Sequence, residues 1–291
     1  MINARNTFSY LRGKRITVMG LGLHGGGVET VKFLIRHGAR ILITDLRTKK
    51  ELAPSVDALS HYQSIRYALG RHRKKDLNHT DLILKNPGVP PDAPYLALAK
   101  KRRISITTDI GIFFENCPAT IIGITGTRGK STTAYLIFKF LGTGKKRIFL
   151  GGNIRRSVLE FLEKIGKKDL VILELSSFQL QDLEPEHKSP HIAVMTNIIP
   201  DHLNWHKNMR EYIRAKNLIF KFQTPKDYLF INPDDLKLRS VASTAPSHVK
   251  TPRLDERYYA IVDDNLGSHY RSSVALAIAV AAHFGVPEKK I

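Results

Sequence analysis

Two α/β domains, each built on a mostly parallel, doubly wound sheet, are what this 291-residue sequence predicts. Short aliphatic or β-branched runs alternate with stretches of helical apolar spacing along most of the chain, the pattern of strand–helix–strand units. Two of the strand-to-helix junctions are glycine-rich: Gly20-Leu21-Gly22-Leu23-His24-Gly25, and Gly126-Thr127-Arg128-Gly129-Lys130-Ser131. Between them Cys117-Pro118 interrupts the alternation, which puts the boundary between domains of residues 1–117 and 118–291.

The first domain opens on the strand Arg15 to Met19, which runs into the first glycine loop. Val28, Val31, Phe33, Leu34 and Ile35 then repeat with helical spacing up to Gly38, and residues 39–45 form a second strand closing on Asp45. A G-x-G-x-x-G turn opening a helix, with an acid about 20 residues further on, suits a nucleotide diphosphate on the helix N-terminus and a carboxylate near its sugar. The pattern alone suggests NAD, any UDP-sugar satisfies it too, and a tight turn without a ligand is the plain alternative. A further strand, Asp81 to Leu84, ends in Asn86-Pro87-Gly88, a rigid turn at the end of a strand where open α/β sheets place ligands. A helix around Tyr95 to Lys101 and a strand leading to Asp109 complete the domain.

The second domain starts with a buried strand (Ile121, Ile122, Ile124) that breaks at Gly126 and enters a helix whose apolar positions are read as Tyr135, Leu136, Phe138 and Leu141. Such a loop points backbone N–H groups and a helix dipole at a phosphate. Lys130 would reach the β/γ-phosphates and Ser131 would hold Mg²⁺ through its hydroxyl. A strict G-x-x-x-x-G-K-[ST] pattern is missed, because Ile124 stands where it requires glycine. Strands follow at Arg147 to Leu150, Asp169 to Leu175, His191 to Asn197 and 227–232, with helices from Met209 to Phe222 and from Arg271 to Phe284. The polar stretch Leu236 to Arg257 is read as loop or irregular.

Composition narrows the classes. With 42% hydrophobic residues the chain can bury sizeable cores, and no apolar run approaches membrane-spanning length. The N-terminal MINARNTFSYLRGKR lacks the apolar segment of a secretory signal. Cys117 stands alone, excluding an internal disulfide or a cysteine metal cluster. A soluble cytoplasmic protein, without a membrane partner, is the expectation. The formal charge of +20 raises the question of nucleic acid. The basic residues are scattered and do not alternate with aromatics, so no nucleic-acid partner is expected; an anionic nucleotide substrate accounts for the charge as well.

The motifs TGTRGKST, GGNI, LELSSFQL, NIIPDHLNWH and RAKNLIF occur in this order, preceded by TDLR and NPGVP. As an ordered set they resemble the Mur ligases of peptidoglycan synthesis, and within that family the branch that adds D-glutamate to UDP-N-acetylmuramoyl-L-alanine. The resemblance implies a Rossmann-like UDP-substrate domain and a P-loop-type central ATPase domain. It implies an ADP-forming ligase in which ATP phosphorylates the substrate carboxylate and the D-glutamate amine attacks the acyl phosphate. It assigns ATP to Gly126, Thr127, Arg128, Gly129, Lys130, Ser131 and Thr132. The UDP-substrate falls to Gly22, Leu23, His24, Asp45, Leu46, Arg47, Asn86, Pro87, Gly88 and Ser176. Ser131, Glu174, His202 and Lys216 would serve two Mg²⁺ sites, Lys216 as a carbamate. Asn153 would lie near the phosphates and the acceptor carboxylate. Lys130, Glu174, His202, Lys216 and Asn153 are thus the catalytic set, in a chain expected to be a monomer.

Four departures accompany the match. Arg128 stands where the family usually has Asn, and His24 where Thr or Ser is common. Tyr270 and Ser273 replace two asparagines near adenine, so adenine recognition is expected to be altered or weakened. A third, amino-acid-binding domain has no counterpart before the end at Ile291. Rival readings are another Mur-type ligase, a folylpolyglutamate synthetase (disfavoured by the first glycine-loop domain), and a non-catalytic nucleotide-binding remnant.

Overall fold

The computed structural model describes residues 7–23, 25–153 and 157–290. Packing divides the chain into two compact units, the first ending at Pro118 and also taking in residues 157–165.

In the first unit, β1 (Arg15–Met19), β2 (Arg40–Asp45), β3 (Arg66–Leu69), β4 (Leu82–Lys85) and β5 (Ser105–Thr107) form one parallel sheet in the order β3-β2-β1-β4-β5. The order reverses between β1 and β4, which creates the crevice at the carboxyl ends where such sheets take ligands. Helix α1 (Gly26–Arg36) buries Val28, Val31, Phe33 and Leu34 in the core and leaves its polar face outside. Helices α2 (Ala53–Asp57), α3 (Pro94–Lys101) and α4 (Asp109–Asn116) complete the unit. Residues 157–165 join it because Val158, Leu159, Phe161 and Leu162 find apolar cover there. Phe161 meets Phe113 edge-on at 5.8 Å, and Ser157 Oγ lies 3.4 Å from Thr30 Oγ1. The sequence reading, which gave the whole of 118–291 to one domain, had no signal for this excursion.

The second unit carries β6 (Thr120–Thr125), β7 (Ile148–Gly152), β8 (Leu170–Glu174), β9 (Ile192–Met195), β10 (Tyr228–Ile231) and β11 (His248–Lys250). They form a parallel sheet in the order β11-β10-β9-β6-β8-β7. Its helices are α5 (Lys130–Gly142), α6 (Ser177–Leu183), α7 (Met209–Lys221), α8 (Leu236–Ala242), α9 (Tyr259–Asn265) and α10 (Arg271–His283). Ile122, Ile124, Ile137, Leu141, Ile172, Val194, Leu276 and Val280 make the core between β6, β8, β9 and helices α5 and α10. β6 is central, flanked by β8 and β9, so the residues leaving these three strands converge on the loop that follows β6.

Two local expectations are corrected. The stretch 236–257 is not irregular throughout: Asp235 Oδ1 accepts the N–H groups of Lys237 and Leu238, starting α8, and 248–250 add an edge strand. All three residues of β11 are exposed, so no apolar alternation announces it. On α5 the buried stripe is Ala134, Ile137 and Leu141, while Tyr135 is 52% exposed. Among the described residues no helix is long and apolar enough to cross a membrane.

Candidate active site

β6 ends at Thr125 and the chain turns at Gly126, where a Cβ would stand 1.9 Å from Thr196 Oγ1. Only glycine lets the backbone pass. Gly129 caps α5 in the left-handed region, with φ 78°. The loop between them is held from the end of β9. Asn197 Oδ1 accepts the N–H groups of Thr127 (3.2 Å) and Arg128 (2.9 Å), and its Nδ2 donates to the Arg128 carbonyl (3.0 Å). Thr196 Oγ1 donates to the same carbonyl at 2.6 Å. Thr127 Oγ1 lies 3.1 Å from the Tyr212 hydroxyl on α7. The N–H groups of Thr127 and Arg128 are therefore engaged inside the loop. The first turn of α5, at Lys130, Ser131 and Thr132, has N–H groups without helical acceptors and presents them, with the helix dipole, to an anion. Ser273 on α10 backs this loop, its Oγ 3.3 Å from the point where a Gly129 Cβ would be.

Beneath the helix start lies Glu174, 2% exposed at the end of β8. Its Oε2 accepts from Ser131 Oγ at 2.6 Å and its Oε1 from Asn153 Nδ2 at 3.0 Å. Hydroxyl, carboxylate and amide oxygens suit a hard cation such as Mg²⁺. Lys130 Nζ donates to the Thr127 carbonyl at 2.9 Å. Burial lowers its pKa, while Glu174 and Asp201 act in the opposite sense.

Lys216, 2% exposed on α7, donates to the Gly126 carbonyl at 2.7 Å and packs over the Tyr212 ring at 4.6 Å. Burial, with Lys130 adding repulsion and Asp201 attraction, pushes its pKa down to about 7. An amine there is substantially neutral at neutral pH, the form that reacts with CO₂. Of the expected metal set, the structure joins Ser131 to Glu174. His202 is half exposed, with φ 51°, its Nε2 3.5 Å from Asp201 and its ring against Phe178 at 5.2 Å. Among the described residues no group of three or more His, Cys, Asp or Glu is arranged to hold an ion.

Sequence reasoning missed Thr196, Asn197, Asp201 and Tyr212. No local motif marks the first two: they act through β9 lying beside β6, which brings the end of β9 to the loop that follows β6. It also missed His206, buried, with Nε2 2.9 Å from Ser177 Oγ and its ring stacked on Phe178.

The first unit holds a cleft of about 1080 Å³ at the β1/β4 crevice. Gly22, Leu23, Asp45, Leu46, Arg47, Asn86 and Gly88 all line it. Pro87 sits in the adjoining turn without lining the cleft. Ser176 belongs to the second unit and caps α6, its Oγ accepting the Gln179 N–H at 3.2 Å. His24 lies outside the described residues. Asp45, which the spacing puts near the sugar, lines the cleft and is also engaged by the backbone. Its Oδ2 accepts from the N–H groups of Leu21 (2.9 Å) and Gly22 (3.4 Å), and its Oδ1 from Arg47 N–H (2.9 Å), so it fastens the glycine loop. Arg71, His72 and Tyr95 line the cleft as well. His72 Nδ1 lies 2.7 Å from Thr44 Oγ1, the Tyr95 hydroxyl donates to the His72 carbonyl, and burial lowers the imidazole pKa. Arg71 and His72 follow β3, an exposed edge strand the sequence did not reveal.

The Mur ligase middle domain matches residues 124–283, and the Mur ligase MurD-like N-terminal domain matches residues 14–108. A UDP-N-acetylmuramoylalanine–D-glutamate ligase of Roseiflexus sp. (strain RS-1) is 43% identical over 232 residues, covering 80% of this chain and 50% of that protein. The ligase of the same name from Borreliella burgdorferi (strain ZS7) is 43% identical over 215 residues, covering 74% and 46%. The chain thus spans about half the length of these curated relatives. Among solved structures, UDP-N-acetylmuramate:L-alanyl-gamma-D-glutamyl-meso-diaminopimelate ligase from Neisseria meningitides superimposes with TM-score 0.62 at 14% identity, over 94% of each chain. MurF ligase from Thermotoga maritima, in complex with ADP, gives 0.50 at 16% identity, over all of this chain and 66% of that one. These two likenesses concern the fold. With the middle-domain match running through the phosphate loop, Glu174, His202 and Lys216, the chain belongs to the Mur ligase family.

Proposed function

We propose that this chain carries the UDP-substrate and ATP sites of an ADP-forming ligase that joins D-glutamate to UDP-N-acetylmuramoyl-L-alanine. The observation that supports it most is the Ser131–Glu174–Asn153 constellation under the N-terminus of α5, with Lys130 and Lys216 beside it. In this reading the first unit takes the uridine nucleotide and the second takes ATP, and the soluble nucleotides place the reaction in the cytoplasm.

Phosphoryl transfer needs alignment and charge neutralisation more than covalent help. Lys130 would leave the Thr127 carbonyl for the β/γ-phosphates, and the first N–H groups of α5 would hold their oxygens. Mg²⁺, bound by Ser131 and Glu174 with a second ion near His202, would neutralise phosphate charge. Asn153, oriented by Glu174, would donate toward the acceptor carboxylate that becomes the acyl phosphate. Lys216, neutral in a large fraction, is disposed to carry a carbamate, which reverses its charge and turns repulsion of a cation into attraction.

Titration calorimetry tests the reading on this chain. UDP-N-acetylmuramoyl-L-alanine and ATP–Mg²⁺ should each bind, independently. NADH binding that the UDP-sugar does not displace overturns the assignment of the first unit. For catalysis, the chain joined to the C-terminal part of a full-length relative should release ADP and phosphate only with both UDP-N-acetylmuramoyl-L-alanine and D-glutamate present.

A further inference from the structure

We infer that Lys85 is a positioning residue for the first-unit cleft: it locks the Asn86–Val89 turn so that the Asn86 amide donates to a uridine diphosphate ligand. The inference rests on the reading that this cleft takes such a nucleotide.

Lys85 ends β4 and is only 5% exposed, an unusual place for an ammonium. An isolated charge in such a position is costly, so it must be compensated. Here two backbone carbonyls do so: Nζ donates to Val89 O at 2.9 Å and to Asn86 O at 3.3 Å. Asn86 O also accepts the Val89 N–H at 2.9 Å, so the ammonium clamps both ends of one tight turn. The Asp109 carboxyl, raised in pKa by burial, feels the Lys85 charge in the opposite sense.

The clamped turn abuts the glycine loop. Asn86 N–H donates to Met19 O at 2.9 Å, at the end of β1. A Cβ on Gly20 would stand 3.0 Å from Asn86 Cβ and 3.2 Å from Val89 Cγ2, so turn and loop touch without slack. Within the turn the Asn86 amide is divided. Its Oδ1 accepts the Gly88 N–H at 3.0 Å, which fixes the plane of the amide. Its Nδ2 faces Gly22, 3.7 Å from where a Cβ there would be, and has no acceptor among the described residues. Asn86 and Gly22 both line the cleft. An oriented amide donor therefore stands beside a phosphate-binding type of loop, and the oxygens of a diphosphate are the acceptors that fit it. Lys85 itself does not line the cleft; it acts through the turn.

The experiment is titration of the wild-type chain, Lys85→Met and Lys85→Arg with uridine 5′-diphosphate, alongside ATP–Mg²⁺ and a thermal melt. Lys85→Met keeps the length of the side chain, loses its donors and removes a buried charge. It should weaken uridine diphosphate about tenfold or more and leave ATP–Mg²⁺ affinity unchanged, with the chain still folded at the titration temperature. Lys85→Arg should recover part of the affinity. Loss of affinity only in step with a lowered melting temperature marks a structural role and overturns the inference, as does uridine diphosphate affinity within twofold of wild type. Should Lys85→Met fail to fold, Asn86→Ala decides: it removes the donor and must itself weaken uridine diphosphate. A wild-type chain that does not bind uridine diphosphate refutes the reading of the cleft and this inference with it, whereas binding by wild type and Lys85→Met alike refutes this inference alone.

Discussion

The two glycine loops of this chain have the same backbone plan and different fastening groups. Each leaves a parallel strand, turns through left-handed glycines and starts a helix. The first is fastened by a carboxylate, since Asp45 accepts the N–H groups of Leu21 and Gly22. The second is fastened by a neutral amide and a hydroxyl, Asn197 and Thr196, with the part-buried Lys130 and the buried Lys216 beside it. A fixed negative charge under a loop disfavours a highly charged ligand, and at about 4 Å with an effective dielectric near 20 each unit pair weighs on the order of 4 kcal/mol. Glycine spacing therefore says where a phosphate can sit, while the fastening residue says how much charge the loop tolerates. The proposed reading gives a sugar diphosphate to the first loop and a triphosphate to the second.

The largest effect should come from removing the cation that makes the second loop different. Lys130→Ala should reduce ATP–Mg²⁺ affinity by 100-fold or more, on the order of 3 kcal/mol, and leave uridine nucleotide binding in the first unit intact. Calorimetry on one sample reads both. Unchanged ATP affinity would show that the loop binds through its backbone alone and would remove half of the contrast.

Next is Lys216, whose pKa is lowered from 10.5 to about 7. Between these values the unfolded chain holds the proton and the folded chain does not, so the protein should gain stability as pH rises from about 7 toward 10.5. The penalty is fully present below 7. Lys216→Met lacks it, and in CO₂-free buffer the wild type should gain on the variant by on the order of 2 kcal/mol between pH 7 and 9. Urea unfolding at both pH values is the measurement. A constant difference would mean that Lys216 keeps an ordinary pKa.

Exchanging the fasteners probes the contrast directly. Asn197→Asp keeps an acceptor for Thr127 and Arg128 but loses the donation to the Arg128 carbonyl and adds a charge. ATP–Mg²⁺ affinity should fall about tenfold, roughly 1.4 kcal/mol. Asp45→Asn retains only one acceptor oxygen for the first loop, and uridine nucleotide affinity should fall several-fold. A rise in ATP affinity in Asn197→Asp would refute the electrostatic reading.

Much of this arrangement is legible in the sequence. β1, β2, β4, β5 and β6 through β10 are read as strands from their apolar or β-branched runs, and both loops announce themselves by glycine. β3, a four-residue strand with one buried side chain, and β11, wholly exposed, carry too little apolar pattern to be read, and with β3 go Arg71 and His72 of the cleft. Lys130, Ser131 and Glu174 are legible through local motifs. Asn197 and Thr196 are not, because their role depends on β9 lying beside β6, a pairing that only the folded sheet creates. Spacing finds Asp45 beside the cleft but not its bonds to the glycine loop. It places a carboxylate near the loop without saying which of its oxygens the backbone consumes.

The smallest effect should be at Arg128, although it is the one position in the loop where this chain departs from the usual family residue. The side chain is exposed, whereas the backbone of Arg128 is held on both sides: its N–H by Asn197, its carbonyl by Asn197 and Thr196. The geometry of the loop therefore depends on residues 196 and 197 and on the two glycines, not on the guanidinium. An exposed cation near bound phosphates is screened by solvent and salt, with a Debye length of about 8 Å at physiological ionic strength. Arg128→Asn should change ATP–Mg²⁺ affinity by less than about twofold at that ionic strength, or roughly 0.4 kcal/mol. At low salt the difference should widen modestly in favour of arginine. Titrations at two salt concentrations separate the outcomes. A loss of tenfold or more that persists at high salt would mean that the guanidinium contacts the nucleotide directly, and that in this chain the second loop relies on a second cation as well as on Lys130.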